Sequence, residues 1–376
     1  MAVQRVCDAM LPELTRVFAV PLSEASNVVS LFAIVYGIAQ LFYGPLGDRL
    51  GKFKVVTFAT LACSVGSLMA ALATSLDALV MARMLVAAGA AALIPLSMAW
   101  VGDMVQGEPL QEMLARVGLG TTLGIVAGQL VGGLFTDLLG WRWAFVFLAL
   151  LFVVVGSLLF RDGLKQGIYK PVTLSETKTV RLGFVEQALS IICGPWSRVI
   201  LLAAVTEGAA GMGVVAMWAS HLHHQLDLSL TAAGSIVALF GIGGVAYMGS
   251  ARWVIKQFGE TGLALWGGLT VCVCALVIAF VPYWQASALA SLMSGFGFFM
   301  FHNTLQAHAA RMSPMARGTA VSLFAGCLFL GQSLGVTLAA SLTGLIGTPW
   351  VVASGGIVIG LLGTTMCLQF KRRSLT

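Results

Sequence analysis

Gly44-Pro45-Leu46-Gly47-Asp48-Arg49-Leu50-Gly51-Lys52-Phe53-Lys54 is a short, charged, glycine-bent hairpin set between two apolar runs, residues 24–43 and 55–72. Each run is long enough to cross a bilayer, since about 20 apolar residues rising ~1.5 Å each cover ~30 Å of hydrocarbon. A loop this short holds no domain, so it predicts two antiparallel neighbouring helices with their charged link at the membrane surface.

The rest of the chain follows suit. It is 59% hydrophobic and 10% charged, whereas about a quarter of the residues in a soluble domain are charged. This predicts an all-α, multi-pass membrane protein. The 44 glycines agree with close helix packing in lipid. The net charge of +6 sits in loops between spans and does not point to nucleic acid. The seven cysteines lack metal-ligand spacing and read as small apolar residues rather than disulfides or ligands. No cleavable signal peptide is visible.

Further apolar segments occupy 77–99, 115–137, 142–160, 198–220, 230–252, 262–281, 284–306, 317–343 and 349–370, with a partial one at 1–19. These make about twelve spans, split by the polar stretch 161–194. The division is a six-span bundle over 1–160, a central loop over 161–197, and a second bundle with a short basic tail over 198–376. If spans alternate, Arg49, Lys52, Lys54, Arg116, Arg161, Lys165, Lys170, Lys178, Arg181, Arg198, Arg252, Lys256, Arg311, Arg317, Lys371, Arg372 and Arg373 share one side. Only Arg16 and Arg142 lie on the other. The basic side is expected to be cytoplasmic, with both termini inside.

The halves repeat. Residues 18–25 align with 226–233, which pairs Ser23 with Thr231 as expected helix N-caps. The same register pairs Leu31-Phe32 with Leu239-Phe240, Gly51 with Gly259, and Gly89 with Gly297. After a slip of one, 135–140 aligns with 342–347. The second hairpin, 251–259, keeps Gly259 but places Lys256 opposite Asp48, and reads as decayed. The register also sets the start of the seventh span opposite residues that would precede Met1, so the first helix is expected to be truncated, a state bilayer thinning tolerates at some cost.

Charged side chains inside spans are costly and mark functional positions by default. Arg83 lies in the fourth span, although two turns from its start it could also snorkel to the interface. Asp8 falls near mid-bilayer, where removal from water disfavours the charged form of a carboxyl and suits a site that loads and releases protons. Its plainer role is a local pair with Arg5. Glu207 lies at similar depth in the seventh span beside Gly208, Gly211 and Gly213, as a proton or cation site or as a structural hydrogen bond. In the fifth span Gly120, Gly124, Gly128 and Gly132, with Gly133 adjacent, form a stripe for close helix packing. Gln129 and Gln332 place amides at mid-depth, where substrate could meet them. His221, His223 and His224 read as a solvated cap rather than a metal site. His302 and His308 read as packing or headgroup residues. No nucleotide loop, nucleophile triad or haem motif appears, so neither an enzyme nor a cofactor is expected.

The hairpin resembles the signature loop between helices 2 and 3 of the major facilitator superfamily, with Gly44, Leu46, Gly47, Asp48, Arg49, Gly51, Lys52 and Lys54 in place. Arg83 with Gly89 is similar to that family's fourth-helix motif, and Gly140-Trp141-Arg142-Trp143-Ala144-Phe145 to its sixth-helix entry. Asp8-Ala9-Met10-Leu11-Pro12-Glu13-Leu14 resembles the first-helix motif of bacterial drug:proton antiporters. Gly124, Gly128, Gly132 and Gly133 match the antiporters' fifth-helix motif, except that Gln129 replaces its proline.

The resemblance implies two six-helix bundles in a bacterial inner membrane and a monomer that uses a proton gradient. Substrate would be a small amphipathic molecule bound between the bundles. Asp8, Arg83 and Glu207 would couple protons. Gly44, Asp48, Arg49, Gly51 and Lys52 would latch one conformation, Asp48 by pairing across the inner face, although a solvated turn is the plainer alternative. An uptake symporter or uniporter of the same fold, or a transport-dead sensor, are the rivals.

Overall fold

The computed structural model describes residues 1–105, 108–168, 184–313 and 316–374. Lys170, Lys178 and Arg181 lie outside them. The described chain is helical: α1 (Ala2–Arg5), α2 (Leu11–Phe18), α3 (Leu22–Ala25), α4 (Asn27–Leu50), α5 (Lys52–Ala71), α6 (Leu76–Met104), α7 (Glu108–Leu138), α8 (Trp141–Lys165), α9 (Phe184–Cys193), α10 (Pro195–Glu207), α11 (Trp218–Leu226), α12 (Leu230–Phe280), α13 (Trp284–Ala310), α14 (Arg317–Ile346) and α15 (Thr348–Ser374). Nine helical segments among the described residues are long and apolar enough to cross a bilayer. α12 bends at Gly259 into two passes. With α13 and the broken first span, α1 with α2, the path has twelve crossings in two six-helix bundles.

Helices overrun the apolar runs, because charged residues continue them past the hydrocarbon. The hairpin expected over residues 44–54 is one residue long. α4 runs through Pro45 to Leu50, Gly51 turns with φ 92°, and α5 starts at Lys52. Only glycine takes that φ without strain. The central stretch is helical at both ends. α9 packs on the second bundle, where Thr319 Oγ1 donates to Gln187 Oε1 at 2.8 Å.

The repeat is visible in the backbone. Ala19 and Asp227, the two non-glycine residues with positive φ among those described, occupy equivalent positions, as do Gly51 and Gly259, and Gly140 and Gly347. A Cβ on Gly89 would meet Ala59 O, and one on Gly297 would meet Gly267 O, again an equivalent pair. The caps fall two residues earlier than expected. Pro21 and Ser229 hold the N-cap positions, and Ser229 Oγ accepts from Ala232 N at 3.1 Å. Thr231 instead donates through N and Oγ1 to Asp137 Oδ2, 2.6 Å each, which ties α12 to the end of α7 in the other bundle.

The bundles meet along two seams. On one, Gly37 of α4 lies against Phe329 and Gly326 of α14, and Tyr36 packs 4.4 Å from the Phe329 ring. On the other, Gly234 and Gly241 of α12 lie against Gln129 and Val126 of α7. Glycines at these crossings let backbones approach where no hydrophobic force separates protein from lipid. All seven cysteines are free thiols. Cys7, Cys63, Cys274 and Cys367 are buried, while Cys193 is exposed.

Candidate functional site

Pro12 decides the shape of the first span. Its ring carries no N–H and clashes with the carbonyl four residues back, which disfavours an unbroken helix through residue 8. α1 stops at Arg5 and α2 begins at Leu11. Between them Asp8 N donates to Arg5 O (3.2 Å) and Met10 N to Cys7 O (3.0 Å). The break turns main-chain carbonyls towards side-chain donors, and buried carbonyls require partners. Arg83 supplies them. Nη1 donates to Val3 O, Nη2 to Gln4 O at 3.5 Å, and Nε to Val28 O at 3.3 Å. Its guanidinium lies 4.1 Å from the centre of the Phe32 ring, a cation–π contact. Arg83 is 0% exposed, which excludes snorkelling.

The same break places Asp8 in the protein interior, also at 0% exposure. Arg5 Nη1 reaches Asp8 Oδ2 at 3.1 Å, and Gln129 Nε2 donates to the same oxygen at 2.9 Å. The local Asp8–Arg5 pair is therefore real, and it is part of something larger. Arg5 also donates to Met212 O (3.4 Å) and to Met212 Sδ in the second bundle. One turn away, Gln4 Nε2 donates to Gln332 Oε1 at 3.2 Å, again across the bundles. Asp8, Gln129 and Gln332 thus belong to one buried polar centre on the seam. Asp8 Oδ1, Gln129 Oε1 and Gln332 Nε2 have no hydrogen-bond partner there, and unsatisfied buried polar atoms call for a ligand or water. Gln4 and Met212 had no distinguishing signal in the sequence. Gln4 is an amide in an apolar run, which the short first span obscured.

The glycine stripe of α7 receives the first span. A Cβ on Gly124 would meet Met1 and Ala2, on Gly128 Ala2 and Arg5, and on Gly132 the Val6 carbonyl. Gly133 faces Leu230 and Thr231 instead, and Gly120 faces open space. Three of the five expected packing glycines therefore seat the helix that carries Asp8.

Glu207 ends α10 and is fully buried. Both its carboxylate oxygens lie 3.2 Å from His302 Nδ1, so His302, packed among aromatic rings as expected, also pairs with a buried carboxyl. His308 lies 3.1 Å from Glu260 and stacks on Phe370 at 4.2 Å. His221 is not solvated. It is 2% exposed, with ring nitrogens 2.9 Å from Thr348 Oγ1 and 3.0 Å from Ile278 O. No group of metal-ligating side chains occurs among the described residues.

At the basic end, Asp48 lies 3.8 Å from Lys52, and Lys52 Nζ reaches on to Asp103 at the end of α6. These contacts stay within one bundle. Gly44 meets nothing within 4 Å, and Arg49 is exposed on the last turn of α4. The second hairpin has not decayed. Arg311 Nη1 donates to Glu260 Oε1 at 2.9 Å, and Glu260 and Arg311 are the repeat equivalents of Lys52 and Asp103, each pair 51 residues apart. The bridge is kept with its charges exchanged. Lys256 opposite Asp48 continues the exchange. The sequence alignment compared like with like and so missed it.

That symmetry has a measurable consequence. Lys52→Glu slows transport, and Asp48→Lys with Lys52→Glu and Asp103→Lys restores it, because the second bundle already holds that reversed arrangement in Lys256, Glu260 and Arg311. Partly exposed pairs contribute about 1 kcal/mol or less, so the readout is the transport rate of purified protein, not its melting. A triple variant as slow as the single one sinks the claim.

The comparisons with known proteins agree with this architecture. The family description "Major Facilitator Superfamily" matches residues 4–315 and again 199–375. The "Inner membrane transport protein YnfM" of Escherichia coli (strain K12) is 23% identical over 335 residues, 88% of this chain and 78% of that protein. The "Chloramphenicol resistance protein" of Pseudomonas aeruginosa is 33% identical over 135 residues, 35% of this chain and 32% of that protein. The crystal structure of a point mutant of the nucleoside transporter NupG superposes with a TM-score of 0.78 at 12% identity, covering 98% of this chain and 97% of that one, and so shares its fold. Twelve crossings in two repeated bundles, a signature hairpin at the basic end and a family match spanning the chain lead to one conclusion: this protein belongs to the Major Facilitator Superfamily and is a membrane transporter.

Proposed function

We propose that this transporter exports small amphipathic molecules from a bacterial cytoplasm in exchange for protons, acting as a monomer in the inner membrane with both termini inside. The observation that supports it best is the buried Arg5–Asp8–Gln129 centre on the seam between the bundles, with open hydrogen-bonding positions on Asp8, Gln129 and Gln332. An ionised Asp8 balances the Arg5 guanidinium, which also bridges to Met212 of the other bundle. A proton on Asp8 leaves that cation without its counter-charge in a buried seam, an expensive arrangement. The seam then has to open so that water or a polar substrate group can reach Arg5. Proton and substrate thus act on one contact between the two bundles whose rocking gives alternating access.

The bundles 1–160 and 198–376 move as units joined through the central stretch 161–197. Arg83 keeps the first-span break in shape, and Gln129 and Gln332 offer amides to substrate. The hairpin residues Gly44, Asp48, Arg49, Gly51 and Lys52 stiffen the basic end of the first bundle so that it moves as one piece. The local similarity to a chloramphenicol resistance protein favours export.

Reconstituted in vesicles, the protein is expected to accumulate an amphipathic test compound such as chloramphenicol only while a pH gradient is imposed. Collapse of the gradient with a protonophore releases the compound. Accumulation that is indifferent to the protonophore removes proton coupling.

A further inference from the structure

Glu207 and His302 lie in the second bundle, and among the described residues no hydrogen bond joins them to Asp8. Glu207 is fully buried, and the His302 side chain is 15% exposed. The imidazole is fixed by aromatic rings: it stacks on Phe298 with centroids 5.7 Å apart and planes at 9°, and packs 5.6 Å from Phe324. Other ionisable groups on α10 and the elements packed against it are Arg198 on α10, Glu186 and Cys193 on α9, His308 on α13, Arg317 and Cys327 on α14, and Cys367, Lys371, Arg372 and Arg373 on α15; the charged ones lie towards the basic end. His308 is the nearest in sequence to His302, six residues on, about 9 Å along the helix. Among the described residues the basic side chain that Glu207 reaches is His302, and that partner can itself lose its charge.

The charge count is decisive. With one proton between them, the pair is neutral overall, as Glu⁻ with His⁺ or as GluH with His. With none it is a lone buried anion, and with two a lone buried cation, both costly. A coupled pair of this kind titrates as a unit. Directly after Glu207 the backbone loosens into a π-helical turn, Gly208–Gly213. Such turns are frequent at functional sites. It lies against α14, where Gly208 faces Leu328 and Gln332, and Gly213 faces Gly335. Its Met212 accepts the hydrogen bond from Arg5.

We propose that Glu207 and His302 form a second proton-binding site that holds one proton when closed, exchanges it through the exposed edge of His302, and acts on the π-helical turn that meets Arg5. Its use in a transport cycle rests on the proton-coupled reading above, but its existence does not.

The test uses the full protein in lipid nanodiscs with isotopically labelled histidine and no substrate. His302→Asn identifies the His302 ring resonances by their loss. In the wild type those resonances are followed across pH as the report on the shared proton. In Glu207→Gln the midpoint moves to lower pH by about tenfold in proton concentration or more, since the carboxylate that favours the imidazolium is gone. Should Glu207→Gln fail to fold, Glu207→Asp keeps the charge at a longer distance and is expected to show a smaller displacement. Identical titration in the wild type and the carboxyl variant overturns the proposal. So does a wild-type titration abolished by tetraphenylphosphonium, which would make the pair a site for organic cations. The Asp8 reading is judged separately by gradient-driven transport, so either can fail alone.

Discussion

Asp8→Asn abolishes accumulation driven by a pH gradient while leaving downhill movement of the same compound in place. Asparagine keeps the size of the side chain and can still accept from Gln129 Nε2, which now lies 2.9 Å from Asp8 Oδ2. It cannot ionise, so it can neither take up the coupling proton nor balance Arg5, itself only 2% exposed. Removing one member of a buried ion pair costs about 3–5 kcal/mol, so the variant is also expected to melt earlier. Arg5→Gln with Asp8→Asn separates the two effects. With both charges gone, stability returns towards that of the wild type, but accumulation does not. Gradient-driven accumulation at the wild-type level in a folded Asp8→Asn protein would leave Asp8 a structural counter-ion and return the coupling role to Glu207 or Arg83.

The fold was legible because membrane spans are written in long apolar runs and turns in glycines. The pairs Gly51 with Gly259 and Gly140 with Gly347 could be aligned from sequence because each must take a positive φ. What escaped was relational. Ser23 and Thr231 looked like caps by type, yet the caps lie at Pro21 and Ser229, since entry into a helix is set by backbone geometry as much as by side-chain chemistry. The Glu260–Arg311 bridge escaped because a salt bridge survives exchange of its ends, whereas an alignment scores each end separately. His302 escaped because its partner is 95 residues away. Asp8 and Glu207 were found for the opposite reason: a carboxyl in an apolar run stands out on its own.

Arg83 gives the other large expected effect, and it bears on what the charge is for. The guanidinium serves three carbonyls, Val3 and Gln4 beside the first-span break and Val28 at the start of α4, while lying over Phe32. Few side chains present several donors in a fixed fork, and lysine does not. Arg83→Ala strands the Val3 and Gln4 carbonyls in the interior at about 1–3 kcal/mol for each unsatisfied group, whereas Val28 O keeps its partner within α4. The variant should insert poorly or melt far below the wild type. Arg83→Lys keeps a positive charge but reaches fewer acceptors, so the loop around Asp8 loosens. If Arg83 acts by shaping the break, Arg83→Lys loses most transport, downhill and gradient-driven alike, and thermal stability falls with it. If the charge itself tunes the Asp8 proton, Arg83→Lys retains gradient-driven accumulation nearly intact, and only a neutral replacement such as Arg83→Gln destroys it. The carbonyl geometry favours the first outcome. Stable Arg83→Lys protein with wild-type accumulation would refute the shaping role, because the three-way fork would then be dispensable and only the charge would matter.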